Sequence, residues 1–124
     1  MMDVGALIRE ALEDLYPVYF DVNPNNDETY FVYRLDTEGV NYADDRPLME
    51  ETEATLHLFT PLTFNPTNLI QQTKRRLHKA GFSWPSSMTL SGSAGFARQA
   101  SMPDMRDHRH IVFQCNRVDI ISAE

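Results

Sequence analysis

Residues 41–60, NYADDRPLMEETEATLHLFT, hold five acids around Arg46 and then run into an apolar stretch. Asp44 and Asp45 are adjacent, and Glu51 and Glu53 are two residues apart. Carboxylates in pairs do two kinds of chemistry: they hold a hard cation, or they pass a proton as acid and base. Spacing decides whether they can act together. Neighbouring side chains on an extended chain point to opposite faces, so Asp44 and Asp45 share an ion only from a turn. DDRP has the chemistry of that turn, with Asp favoured at its first position and the residue before Pro47 held extended. The series of oxygen ligands that a calcium or magnesium loop needs does not follow. Glu51 and Glu53 share a strand face, but no histidine-bearing helix and no third carboxylate completes a centre. These acids read as a turn and the polar edge of a sheet, with no metal and no cofactor expected.

Three histidines and one thiol are the other candidates. His108 and His110, in DHRH, share a face of a strand, and His-x-His is half of a zinc or iron site. A third ligand is still needed. His57, the other histidine placed on the sheet, leaves a three-histidine site open at this point. Cys115 lies inside HIVFQCNRV, an apolar strand-like run and neither a helix start nor a cationic pocket, so it reads as a small buried hydrophobe. As the only cysteine it makes no internal disulfide, which suits a reducing compartment. There is no glycine-rich phosphate loop, no nucleophile elbow and no paired-cysteine zinc signature. The residues favour a structural role over catalysis.

The elements that must position these residues follow from periodicity. Val4, Leu7, Ile8, Ala11, Leu12 and Leu15 fall on one helical stripe, predicting a helix over 3–16 capped by Asp3 and stopped by Pro17. VYFDV, 18–22, predicts a short strand and NPNND, 23–27, a turn. TYFVYRL, 29–35, predicts a strand, and DTEG, 36–39, a second turn. From Met49 to Phe59 the pattern alternates, with Thr52, Ala54, Leu56 and Leu58 on one face and Glu51, Glu53, Thr55, His57 and Phe59 on the other. After a loop over 60–68 a second helix is expected from Asn68 to Ala80, with Thr67 as N-cap and Gly81 just past its end. Its stripe is Leu69, Ile70, Thr73, Leu77 and Ala80. Lys74, Arg75, Arg76, His78 and Lys79 read as a solvated face that offsets the helix dipole. Met88–Leu90 is a short strand within the otherwise unread segment 81–107. HRHIVFQCNRVDII, 108–121, is a long strand, with a bulge near Asn116 to account for the changed parity of Val118 and Ile120. The expected fold is one α+β domain over 1–124: a mainly antiparallel mixed sheet of four to five strands with two helices packed on one face.

Composition narrows the class. At 124 residues with 42% apolar content the chain is long enough for one core. A formal net charge of -7 argues against wrapping nucleic acid. No apolar run is long enough to cross a bilayer, and MMDVGALIRE does not read as a signal or transit peptide, so a protein that stays in the cytoplasm is expected.

In whole-chain layout the sequence resembles the small tail-terminator, or tail-completion, minor tail proteins of long-tailed bacteriophages and prophages. The resemblance is carried by the order ALIREALEDL helix, VYF strand, YFVYRL strand, NYADDRPLMEETEATLHLFTP strand, the LHKAGF helix end, a glycine- and serine-rich segment and the HRHIVFQC strand. FSWPSSMTLSGSAGFARQASMPDM matches least. The resemblance implies a virion structural protein that is not an enzyme. Six copies would form a ring that caps the tail tube, ends its growth and presents the surface that the head connector joins. Its partners would be further copies of itself, the tail tube protein and the head-completion protein, with DNA only in passage and no membrane. On that reading Asp44, Asp45, Arg46, Glu51 and Glu53 are candidates for the subunit interface or the lumen. Asp45 would then pair with a neighbour's Arg46 or Arg34, and an acidic lumen would repel phosphate. The alternatives are another head-tail connector or neck protein, a small metal-dependent hydrolase built on Asp44, Asp45, His108 and His110, and a ligand-binding module.

Overall fold

A computed structural model of the chain describes residues 3–21, 28–43, 46–90 and 108–120. In chain order the elements are α1 (Val4–Leu12), β1 (Val18–Phe20), β2 (Tyr30–Ala43), β3 (Arg46–Pro61), α2 (Thr67–Lys79), β4 (Ser86–Leu90) and β5 (His108–Ile120). The strands form one sheet in the order β1-β2-β3-β5-β4. The β1 and β2 strands are parallel, and every other neighbouring pair is antiparallel. This is the α+β architecture expected, with five strands and both helices in one core on one face.

Local chemistry sets the helix ends. Asp3 Oδ1 accepts from Ala6 N at 3.1 Å, which satisfies one of the free donors of α1. The α1 helix ends at Leu12, a turn earlier than the apolar stripe, but Leu15 still packs on the core. The α2 helix begins at Thr67, so Thr67 is its first residue and not the cap. Asn65 Oδ1 instead accepts from Thr67 N at 3.1 Å and Thr67 Oγ1 at 2.8 Å, just ahead of Pro66. Thr73, on the buried stripe, satisfies its hydroxyl by donating to Leu69 O at 2.7 Å. Gly81 then takes φ +106°, the left-handed conformation that ends a helix without side-chain strain.

The core is built from rows of side chains across the three long strands. Phe31, Leu58 and Ile111 are in register, as are Tyr33, Leu56 and Phe113, and then Leu35, Ala54 and Cys115. Ile8 and Leu12 of α1 and Leu69 and Leu77 of α2 close over these rows. Each fully buried side chain of this size contributes about 1.5–3 kcal/mol relative to exposure.

Pairing overrides local turn signals in two places. DTEG is not a turn: Asp36, Thr37, Glu38 and Gly39 pair with Glu53, Thr52, Glu51 and Glu50, and Thr37 Oγ1 lies 3.1 Å from Thr52 Oγ1. A long partner strand supplies a ladder that four turn-forming residues cannot outweigh. Arg46 and Pro47 likewise belong to β3, pairing with Ala43 and Tyr42, so the strand starts before Pro47 and not after it. A third difference concerns the C-terminal strand. Its register against β3 runs unbroken from His108 to Ile120, with no bulge at Asn116. Val118 and Ile120 keep the even parity of His110 and Val112 and stand on the face away from the helices. The expected NPNND turn and the segment 91–107 lie outside the described residues.

Candidate functional site

The three long strands outrun their neighbours. The β1 strand pairs only with Phe31–Tyr33 and β4 only with His110–Gln114, whereas β2, β3 and β5 continue to Ala43, Arg46 and Ile120. Among the described residues the sheet therefore narrows from five strands to three and leaves the helices behind near Thr37, Thr52 and Arg117. At ~3.3 Å per residue the β2–β3 part of this arm reaches on the order of 20 Å beyond that row. Three of its apolar side chains are exposed, Ile120 (81%) and Val118 (52%) on the face away from the helices and Leu48 (50%) on the other.

Glu51 and Glu53 lie at the base of the arm, on the face away from the helices. The register sets Glu51 opposite Glu38 and Glu53 opposite Asp36, four carboxylates on one face in two directly opposed pairs. Like charges in this arrangement repel. Asn116 Nδ2 donates to Glu51 Oε2 at 2.6 Å, the one described neutral contact within the group. Asp36 and Glu38 were hidden from sequence reading by the turn-like DTEG. The signal for them was there: after Arg34 the alternation of polar side chains continues at 36 and 38. Asp44 and Asp45 lie outside the described residues, as does the Arg46 side chain, although the Arg46 backbone pairs with Ala43 at the far end of the arm. Arg34 pairs with Asp21 of its own chain, Nε to Oδ1 2.8 Å.

The opposite end of the same face carries the histidines. His57 Nδ1 and His110 Nε2 are 2.8 Å apart. Phe59 stacks on His110 at a ring separation of 4.4 Å and on Tyr30 at 5.0 Å, and Val32 completes a second, smaller apolar cluster. His57 and His110 are 7% and 4% exposed. Burial pushes both imidazoles down to about 4, helped for His57 by the charge of Arg34 and for His110 by His57. Both rings are therefore neutral near pH 7, where one nitrogen of the contact donates and the other accepts. The sequence named both residues, but only the diagonal register of β3 and β5 brings their rings together.

Of the proposed combination of Asp44, Asp45, His108 and His110, the two aspartates and the His108 side chain lie outside the described residues. His108 pairs with Pro61 and His110 with Phe59, while Arg46, next to Asp45, begins the other end of β3. Fifteen residues of strand separate the two ends, roughly 50 Å at the usual rise. Among the described residues no group of three or more His, Cys, Asp and Glu side chains is arranged to hold a metal ion. Cys115 is buried on the helix-covered face, where burial pushes its thiol up to about 11. Open clefts among the described residues include one of about 350 Å³ between the β3–α2 loop and Arg109 and one of about 530 Å³ between α1 and α2.

No family model matches the chain, and no curated protein sequence matches it.

Proposed function

We propose that this chain is a structural subunit that assembles side by side with copies of itself into a closed ring, of the tail-terminator type found in long-tailed phages and prophages. The observation that carries the assembly reading is the three-stranded arm with its uncovered Leu48, Val118 and Ile120. Exposed apolar side chains on a protruding, helix-free part of a sheet mark a contact surface. The taper from five strands to three suits closure by rotation, since a wedge-shaped subunit packs with its narrow end toward an axis. The acids at the base of the arm, Asp36, Glu38, Glu51 and Glu53, then add negative charge on the side of the axis, along which DNA phosphates pass without sticking. The tail-terminator part of the reading rests on the order of elements in the sequence. On this reading six copies cap the tail tube protein, fix the tube's length and present the surface for the head-completion protein.

A tube-capping assay tests it. Purified chain is added to polymerising tail tube protein from a phage that carries the gene, and tube lengths are measured by negative-stain electron microscopy. The reading expects tubes that stop growing and carry a ring of extra density at one end. Tubes of unchanged length with bare ends would refute it.

A further inference from the structure

Among the described residues Arg109 is a half-buried cation without a counter-charge. Arg9, Arg34, Arg76 and Arg117 each lie against a carboxylate, and Arg109 does not. Its Nη2 donates to Leu62 O at 3.1 Å, which fixes the side chain against the β3–α2 loop. Its Nε is buried without a hydrogen-bond partner. Directly opposite in the strand register, on the same helix-covered face, stands Thr60, which is 0% exposed. The Thr60 hydroxyl is likewise without a partner. Two neighbouring buried polar groups left unmatched mark a place where an outside polar group is wanted.

Arg109 lines the cleft of about 350 Å³, and another part of that lining is the start of α2. Pro66 and Thr67 bring the N-terminal end of the helix to the cleft. This end is electropositive, because first-turn N–H groups have no carbonyl of the helix ahead of them. Thr67 N is taken by Asn65 Oδ1 and Ile70 N by Pro66 O, whereas Asn68 N and Leu69 N have no partner among the described residues. No acidic side chain lies in the first turn, and none lines the cleft among the described residues. In a chain of net charge -7 this cleft pairs a guanidinium with a helix N-terminus and supplies no anion of its own. Its remaining lining includes the apolar side chains of Leu62, Phe64 and Ile70.

The geometry points to a binding site for a carboxylate that carries an apolar group. The carboxylate is the acceptor that Arg109 lacks, held between its guanidinium and the open N–H groups of α2, with the Thr60 hydroxyl as a neighbouring donor. The apolar group lies along Leu62, Phe64 and Ile70. A planar guanidinium matches a carboxylate with two parallel hydrogen bonds. One positive side chain balances one negative charge and leaves a phosphate dianion half neutralised. The apolar lining favours a ligand with a hydrocarbon part and does nothing for inorganic phosphate. The free end of a peptide chain and a short-chain carboxylic acid share this chemistry. The assignment does not depend on assembly into a ring.

Amide NMR of the isotope-labelled full chain tests it, with four probes: acetyl-alanyl-leucine as the free acid, the same dipeptide as its C-terminal amide, hexanoate, and inorganic phosphate. The free acid is expected to shift the backbone amide signals of Asn68, Leu69 and Arg109 until they saturate, and the amide is expected to leave them in place. Hexanoate binding as tightly as the peptide acid assigns the site to small carboxylic acids, and binding of the peptide acid alone assigns it to a chain end. Two variants check the residues. Arg109→Gln removes the charge, and Thr67→Asp sets the chain's own carboxylate at the start of α2. Acid at that position favours a helix, so Thr67→Asp remains a fair test even if Arg109→Gln does not fold. Each is expected to weaken binding of the acid at least about tenfold. Equal shifts from acid and amide, phosphate binding as tightly as the acid, unchanged affinity in either variant, or no saturable shift from any probe would overturn the site.

Discussion

His57 Nδ1 and His110 Nε2 lie 2.8 Å apart on adjacent strands, in a contact that holds one proton between two neutral rings. A second proton has no place there. Both imidazoles are pushed down to about 4 in the folded chain against 6.5 in the unfolded one. Above pH 6.5 both states are neutral and the pair's contribution is complete. Between 6.5 and 4 the unfolded chain takes up protons that the folded chain does not, so stability falls as pH falls. The full loss is on the order of a few kcal/mol. The urea midpoint should therefore drop measurably from pH 7.5 to pH 5.0, and the drop should shrink in His57→Phe. Equal midpoints at the two pH values in the wild type would contradict the assignment.

Cys115 should be chemically silent. Its thiol, buried against the helix-covered face and pushed up to about 11, is almost wholly protonated at neutral pH. Folded protein is expected to leave Ellman's reagent unreacted over the time in which urea-unfolded protein reacts with one equivalent. Equal rates in the two states would show that the strand opens readily or that the thiol faces solvent.

Phe113 sits in the middle row of the core, with Leu56 and Tyr33 in register beside it, and is fully buried. Phe113→Ala should cost about 3–5 kcal/mol, from lost burial and the cavity left behind. Ile120→Ala, at the tip of the same strand, should leave monomer stability within about 0.5 kcal/mol. Chemical denaturation of both variants, at concentrations low enough to keep the chain monomeric, measures the contrast.

Arg117 ties α2 to β5. Its guanidinium is held by both oxygens of Asp119, Nε–Oδ2 3.1 Å and Nη2–Oδ1 2.8 Å, donates to Ala80 O and lies over the Phe82 ring. Arg117→Lys loses the forked geometry and should destabilise by about 1–2 kcal/mol. Gly81→Ala attacks the same joint from the other side. It places a Cβ at positive φ and 2.8 Å from Arg117 Nη1, so it should cost at least about 1 kcal/mol. Thermal melts of both variants should show the loss. If neither variant moves the melting temperature, the joint does not hold α2.

The elements that were legible in the sequence are those in which local pattern and tertiary contact agree. The α1 stripe, the Thr52–Leu58 alternation and the Gly81 stop each need only their own residues. The arm was not legible, because its evidence is pairing. Asp36 to Gly39 spell a turn until β3 is laid beside them, and Val118 and Ile120 suggest a bulge only if every apolar side chain must be buried. They are exposed, and that exposure points to a surface that another chain covers. Glu51 and Glu53 were picked out correctly as outward-facing, but their closest described company is Asp36, Glu38 and Asn116, not a histidine.

The central claim is that the chain closes on copies of itself. Native mass spectrometry of the wild-type protein across a range of concentrations and salt tests it most directly. The account predicts one dominant closed species, a hexamer of the 14.3 kDa subunit, that falls apart toward monomer as ionic strength rises and charge attraction is screened. Monomer at every concentration, or an open-ended ladder of sizes with no closed member, would contradict it.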